Sequence, residues 1–130
     1  MTSTLPKMWW PLMESGDVET PVCAVCGRGY PLNRHHMVPR SAGALYRDGR
    51  EMPKPTIVLC GNGNNLRDAN GVPLCHGLVH HHMLHFRFRD GKVEYMRTER
   101  PVDYLTALGL DGWKEIRYED RTFRGTHDGV

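Results

Sequence analysis

The stretch Arg34-His35-His36-Met37-Val38-Pro39-Arg40, read together with Cys75-His76-Gly77-Leu78-Val79-His80, decides how the chain is organised. The second stretch holds two histidines four residues apart, so on a helix they share one face and can reach one metal ion. In the first, Pro39 biases the residue before it away from helix. Adjacent side chains of an extended segment point to opposite sides, so His35 and His36 are expected to have different tasks. The sequence therefore predicts a divalent metal site of three imidazoles, with a fourth imidazole free beside it.

Length and composition predict one small domain with short arms. The chain has 130 residues, of which 39% are hydrophobic and only three are Phe. Small domains with little apolar area often bind a metal, and four cysteines with eight histidines would supply the ligands. No stretch has the pattern of a signal peptide or the roughly 20 apolar residues of a membrane span. A cytoplasmic, reducing location is therefore expected, where cysteines bind metal more often than they form disulfides.

The four cysteines form two half-sites. Cys23 and Cys26 lie in a CxxC turn followed by glycine, which is typical of a zinc knuckle. Cys60 ends a short β-branched run that predicts a buried strand, and Cys75 precedes the first histidine of the helical pair. If residues 61–73, which are rich in Gly and Asn, fold outward as a loop, four thiolates can hold one structural zinc ion. Such a site contributes roughly 10–16 kcal/mol of apparent binding energy to folding.

Positive charge is concentrated around the histidine pair. The net charge of the chain is only +2, yet residues 27–67 carry seven basic and two acidic side chains, a balance of +5. This distribution favours a surface that meets an anionic backbone. A solvent-exposed loop whose arginines bind no anionic partner would have the same charge distribution.

Secondary-structure signals divide the chain into four segments. They are an N-terminal arm (1–21), a core (22–85), a β-hairpin with a short helix (86–118) and a flexible tail (119–130). A helix is predicted over 74–85 and a loop over 41–55. Asp90-Gly91 within an alternating stretch predicts the hairpin, and a second helix is predicted from Pro101 to Leu108.

In this order the motifs resemble those of the HNH endonuclease family, especially its small versions in phage genomes. The shared pattern is a CxxC knuckle, a His-His pair followed by proline, an apolar strand ending in Leu-Cys, and Cys-His-x-x-x-His. The resemblance covers residues 22–85 and implies an α+β, zinc-stabilised ββα-metal domain. It also implies hydrolysis of DNA phosphodiester bonds, by nicking or double-strand cleavage, with a phage packaging terminase as the suggested partner in a bacterial host cell.

Carried over by position, the resemblance implies a role for each motif residue. His36 becomes the general base, since a neutral imidazole can take a proton from water near pH 7. Arg40, and after it Arg34, become the contacts to DNA phosphate through a guanidinium fork. The implied ligands of a catalytic Mg²⁺, Mn²⁺ or Zn²⁺ ion are His35, His76 and His80, and those of the structural Zn²⁺ are Cys23, Cys26, Cys60 and Cys75.

The chain departs from the family pattern in two places. Relatives usually carry an asparagine just before the apolar strand, where this chain has Pro55-Thr56. The residues left as substitutes are Asn33, Asn62, Asn64 and Asn65. The second cysteine pair, close together in most relatives, is here split by residues 61–74.

Other interpretations of the same residues stay open. A non-catalytic zinc module that binds nucleic acid or protein, and a nuclease that acts on RNA, have the same motifs. A Cys₂His₂ zinc site would combine the CxxC pair with His76 and His80, but it leaves two cysteines unused. His81 and His85 are also four residues apart and would give a shifted ligand register. Apart from that alternative, four histidines are predicted to be surface or core residues without a role in the site: His81, His82, His85 and His127.

Overall fold

The computed structural model describes residues 4–116 and has a small α+β fold with several short sheets. Its helices are α1 (Thr4–Met13), α2 (Cys75–His80) and α3 (Tyr104–Leu108). Its strands are β1 (Leu32–His36), β2 (Tyr46–Arg47), β3 (Arg50–Glu51), β4 (Thr56–Cys60), β5 (Leu84–Arg89), β6 (Lys92–Arg97) and β7 (Lys114–Glu115). The α+β class agrees with the prediction, whereas the predicted tail 119–130 lies outside the described residues. Within residues 4–116, no helix has the length and apolar character needed to cross a bilayer.

Strands β1 and β4 form an antiparallel pair at the centre of the site. Their register places His36 opposite Thr56 and Leu32 opposite Cys60. The β-branched run predicted as a buried strand is β4, and Ile57 is fully buried. The backbone of the cysteine knuckle hydrogen-bonds to β4, with Ala24 N donating to the carbonyl of Val58 at 2.9 Å. The strand pair and α2 carry the three predicted imidazole ligands together with Cys60 and Cys75, and the knuckle adds Cys23 and Cys26.

Helix α2 is shorter than the predicted helix over 74–85. It ends at His80, and His82 takes a positive φ of 62°. The chain then enters β5 at Leu84, where alternating apolar residues pair with β6 over six positions. Pairing within the β5–β6 hairpin therefore outweighs the helical pattern at the end of this stretch.

Gly77 is required in α2 because another part of the backbone crosses it. A Cβ atom at this position would lie 1.8 Å from the carbonyl oxygen of Asn65. Helix propensity alone would make alanine more favourable than glycine by about 1 kcal/mol. The close approach reverses that preference, because the 61–65 segment would have to move away.

The substitution Gly77→Ala is therefore expected to lower the free energy of unfolding by about 2 kcal/mol. Chemical denaturation in urea measures this change. Gly109→Ala is the matched control, since a Cβ at Gly109 meets nothing closer than 3.6 Å and its φ is −87°. Equal stability of the two variants would contradict the steric argument.

The segment predicted as an N-terminal arm contributes to the core. Leu12 of α1 is buried, and the Trp9 ring stacks on Tyr104 with 4.0 Å between ring centroids. Residues 41–55, predicted as a loop, contain the β2–β3 hairpin. Its turn is Asp48-Gly49 with φ of 55° and 77°, the same pair and nearly the same angles as Asp90-Gly91 in the predicted β5–β6 hairpin.

Candidate metal centres

Four cysteine side chains converge between the knuckle, β4 and α2. Their Sγ atoms all lie within 4.8 Å of one another, and those of Cys26 and Cys60 are 3.6 Å apart. A tetrahedral zinc ion with Zn–S bonds of about 2.3 Å needs sulfur atoms about 3.8 Å apart. All four thiols are free, and Cys26 is the exposed one. The cluster therefore fits a structural metal such as zinc, as predicted, and the Cys₂His₂ alternative is wrong.

The 61–74 insertion does not separate the second cysteine pair. It folds back on itself, with Leu74 N donating to the carbonyl of Leu66 at 2.9 Å. An ion pair of 2.6 Å between Arg28 and Asp68 ties it to the knuckle. At its base the backbone N–H of Cys75 donates to the Cys60 sulfur at 3.3 Å.

The thiols share their charge unequally. Hydrogen bonds from Cys60 and Cys75 lower the pKa of Cys23 well below that of a free thiol. The same bonds raise the pKa of Cys60 to about 12 and the pKa of Cys75 far above its usual value. Among these three residues the negative charge is therefore favoured on Cys23, because a second thiolate beside it would be repelled. A divalent ion lets the remaining thiols ionise, so metal binding should release protons.

Three histidine rings form a second cluster beside the first. The candidate ligand nitrogens of His35, His76 and His80 all lie within 4.8 Å of one another. His35 comes from β1, while the other two stand one turn apart on α2, with ring centroids 4.6 Å apart. The spacing predicted from the sequence thus produces a set of three nitrogen donors close enough to share one cation.

A backbone carbonyl orients the His76 ring. Its Nδ1 lies 2.8 Å from the Gly63 oxygen, which only accepts, so Nδ1 carries the proton and Nε2 is left for a metal. The 61–65 segment that supplies this oxygen is itself held in place. Asn33 donates from Nδ2 to the Gly61 carbonyl, and His81 Nε2 lies 3.1 Å from the Asn64 oxygen.

The shifted ligand register is wrong. His81 contacts the 61–65 segment, whereas His85 lies on β5 with its Nε2 3.0 Å from the His82 oxygen. The two residues do not share a helix face, because α2 ends at His80. His127 lies outside the described residues.

His35 is held neutral by its surroundings. Burial, and then the neighbouring His76 and His80 rings, lower its pKa from 6.5 to about 3. Burial also lowers the pKa of His80. In the unfolded chain His35 binds a proton below about pH 6.5, whereas in the folded chain it does so only below about pH 3. Between these two pH values His35 therefore lowers the free energy of unfolding as the pH falls.

The urea midpoint of the zinc-loaded protein is therefore expected to fall between pH 7 and pH 5.5. One such group contributes at most about 1.4 kcal/mol per pH unit. His35→Gln removes the titrating ring, and its midpoint should fall less over the same interval. If the urea midpoints of parent and variant fall equally with pH, His35 is not the cause of the loss of stability.

One cleft of about 640 Å³ joins the histidine cluster to the other predicted site residues. His36 is exposed, lies outside the cluster and lines this cleft. Arg40, also exposed, begins a 3₁₀ turn at its rim. Arg34 lines the cleft too, but it is ion-paired with Glu19 at 2.7 Å.

Internal ion pairs reduce the positive surface predicted from the sequence. Besides Arg34, Arg28 pairs with Asp68 and Arg47 with Glu14. Within residues 4–116, Arg40 forms no ion pair with a carboxylate, which leaves it the freest of the predicted phosphate contacts.

Asp17 supports the strand end where the family asparagine would stand. Its Oδ1 accepts hydrogen bonds from Thr56 N at 2.9 Å and from Thr56 Oγ1 at 3.2 Å. Arg34 donates to the same hydroxyl at 2.9 Å. Thr56 is the strand partner of His36, so this network fixes the backbone beside it. Of the proposed substitutes, Asn33 and Asn62 contact each other at the other end of the strand pair.

Comparisons of the chain with protein-family models, curated proteins and solved structures give no match. Function is therefore inferred from the placement of this chain's own residues. The structure groups the four predicted cysteines and the three predicted imidazoles, with His36 and Arg40 on the adjoining cleft. Sequence reasoning missed Asp17, and the one available signal was an acidic residue between the first helix and the knuckle.

Proposed function

We propose that this protein is a metal-dependent endonuclease that hydrolyses DNA phosphodiester bonds, with β1, β4 and α2 as a ββα-metal unit. A single observation carries the proposal. Three clustered imidazoles line the same cleft as the exposed imidazole of His36 and a guanidinium without an internal ion pair within residues 4–116, that of Arg40. His82 and His85 also line this cleft. A purely structural metal site needs neither His36 nor Arg40.

The histidine cluster would hold one divalent cation, Mg²⁺, Mn²⁺ or Zn²⁺, through His35, His76 and His80. When bound, such an ion supplies Lewis-acid stabilisation of the charge that develops on phosphate oxygens. The protein's own contribution is to keep these donors unprotonated and aligned. Burial keeps His35 neutral, and the Gly63 carbonyl fixes the ring of His76.

His36 acts as the general base. A neutral ring nitrogen accepts a proton from water, and the water oxygen bonds to phosphorus as the bond from phosphorus to O3′ breaks. The products are a 5′-phosphate and a 3′-hydroxyl, as in the family that the motifs resemble. The Arg40 guanidinium binds a non-bridging phosphate oxygen by a charge-assisted hydrogen bond.

Incubation with supercoiled plasmid tests the proposal. The zinc-loaded protein is expected to convert it to nicked or linear DNA with Mg²⁺ or Mn²⁺ and to leave it intact with EDTA. End-labelling identifies the 5′-phosphate, and a matched RNA substrate tests the other polymer. If the folded protein cleaves neither DNA nor RNA with any of these metals, the proposed nuclease function is wrong.

The rival function is a non-catalytic zinc module that binds nucleic acid or protein. The four-thiol cluster, in which three of the cysteines are buried, favours it, since that cluster alone can stabilise a small domain. Metal content distinguishes the two. The nuclease should bind two metals per chain, one of them released by mild chelation without unfolding, whereas the module should hold a single zinc ion.

A further inference from the structure

Part of the cleft lining is not used by the proposed chemistry, and we call this part the apolar half. Its residues are Met8 and Trp9 of α1, His82 just before β5, Leu84, His85 and Phe86 of β5, and Asp103 and Tyr104 at the start of α3. The apolar half therefore shares one continuous space with the proposed scissile phosphate.

Packing fixes the walls of the apolar half before any ligand enters. Trp9 and Tyr104 stack with an angle of 12° between their rings, and both are buried. Leu84 and Phe86 are buried in β5, against which α1 packs. A preformed, largely apolar cleft of several hundred Å³ with a few polar groups is typical of sites that bind small organic molecules.

The cleft lining holds a carboxylate, that of Asp103, as well as the Arg40 guanidinium. Asp103 accepts a hydrogen bond from Thr106 N at 2.8 Å, and the bonds from Thr106 lower the pKa of its carboxyl, so it is ionised at neutral pH. This carboxylate repels phosphate, whereas Arg40 in the other half attracts it. A carboxylate accepts about four hydrogen bonds, so Asp103 has capacity left for a ligand's N–H groups.

We propose that the apolar half binds an unpaired nucleobase next to the scissile phosphate, with Asp103 accepting from its N–H groups. This inference rests on the proposed nuclease function and specifies its substrate class. In a paired duplex the base is stacked and its N–H groups face the partner strand, so entry requires extrusion, which is least costly at an unpaired nucleotide. The protein should therefore prefer DNA with unpaired nucleotides, such as bulges or single strands, over continuous duplex.

Three matched oligonucleotides test the preference: a paired duplex, the same duplex with one bulged adenosine, and the same bulge with an abasic residue. The adenosine bulge should be cut about tenfold faster than either of the others, the gain expected from one hydrogen bond to a charged group. Asp103→Asn keeps a residue suited to capping α3 but loses the charge, and should lower the ratio of adenosine-bulge to abasic-bulge cleavage about fivefold. Asp111→Asn, the same change at an exposed residue that does not line the cleft, should keep the parent ratio.

A second readout does not require cleavage. A bulged 2-aminopurine in the same duplex reports stacking by its fluorescence, and binding of the His36→Ala protein should change its emission, whereas the further substitution Asp103→Asn should reduce that change. Equal cleavage of all three substrates with unchanged emission would overturn the base site and leave the nuclease standing. If nothing is cut, a change in emission still supports the base site while the nuclease fails, and unchanged emission overturns both.

Discussion

The His36→Ala protein is expected to cleave DNA at least about a hundredfold more slowly than the parent, because general-base catalysis typically contributes 10²- to 10⁴-fold. Its fold should be unaffected, since His36 is exposed and belongs to neither metal cluster. Single-turnover cleavage of a labelled duplex at saturating protein and Mg²⁺ measures the loss. Such conditions separate the chemical step from DNA binding.

His80→Ala is the matched comparison within the same cleft. It removes a proposed ligand rather than the base, so cleavage should be lost because cation affinity falls by roughly tenfold or more. Calorimetric titration of the zinc-loaded proteins with Mn²⁺ distinguishes the two variants. His36→Ala should bind like the parent, and His80→Ala more weakly. Cleavage by His36→Ala at the parent rate would show that another group takes the proton.

The second large effect is expected from Cys75→Ser. Cys75 is buried in the four-thiol cluster, and a structural zinc site supplies a large share of the stability of a domain this small. The variant should lose its zinc and its cooperative unfolding transition. Because Cys75 adjoins His76 and its backbone N–H binds the Cys60 sulfur, the histidine cluster should disperse with it.

A colorimetric assay measures the loss of zinc, and near-ultraviolet circular dichroism measures the loss of tertiary structure. Mild chelation of the parent is the control, since it should remove only the cation of the histidine cluster and leave the fold intact. A Cys75→Ser protein that keeps the parent's urea midpoint without zinc would show that the thiol cluster has no metal-dependent role in folding.

The local parts of the site are predictable from short stretches of sequence. The CxxC turn and the histidine pair four residues apart depend on neighbours within one turn of backbone, and Asp90-Gly91 needs only its own positive φ angles. These patterns therefore predicted the candidate ligands and the C-terminal hairpin. The α+β class followed from the mixture of short strand and helix signals.

Which of these local parts come into contact depends on the packing of distant segments. Cys60 and Cys75 come together because the intervening segment folds back on the knuckle, and His35 reaches α2 through the β1–β4 pairing. Spacing along the chain does not encode such contacts, because they depend on how distant segments pack.

The same reason explains what sequence reasoning missed or misjudged. Helix propensity disfavours Gly77, whereas the backbone of Asn65 passes so close that a Cβ atom has no room there. Arg34 was predicted as a phosphate contact, whereas in the folded protein it is ion-paired with Glu19. The segment predicted as an N-terminal arm lines the cleft, because the Trp9 ring stacks on Tyr104, which is distant along the chain and close only in the folded structure.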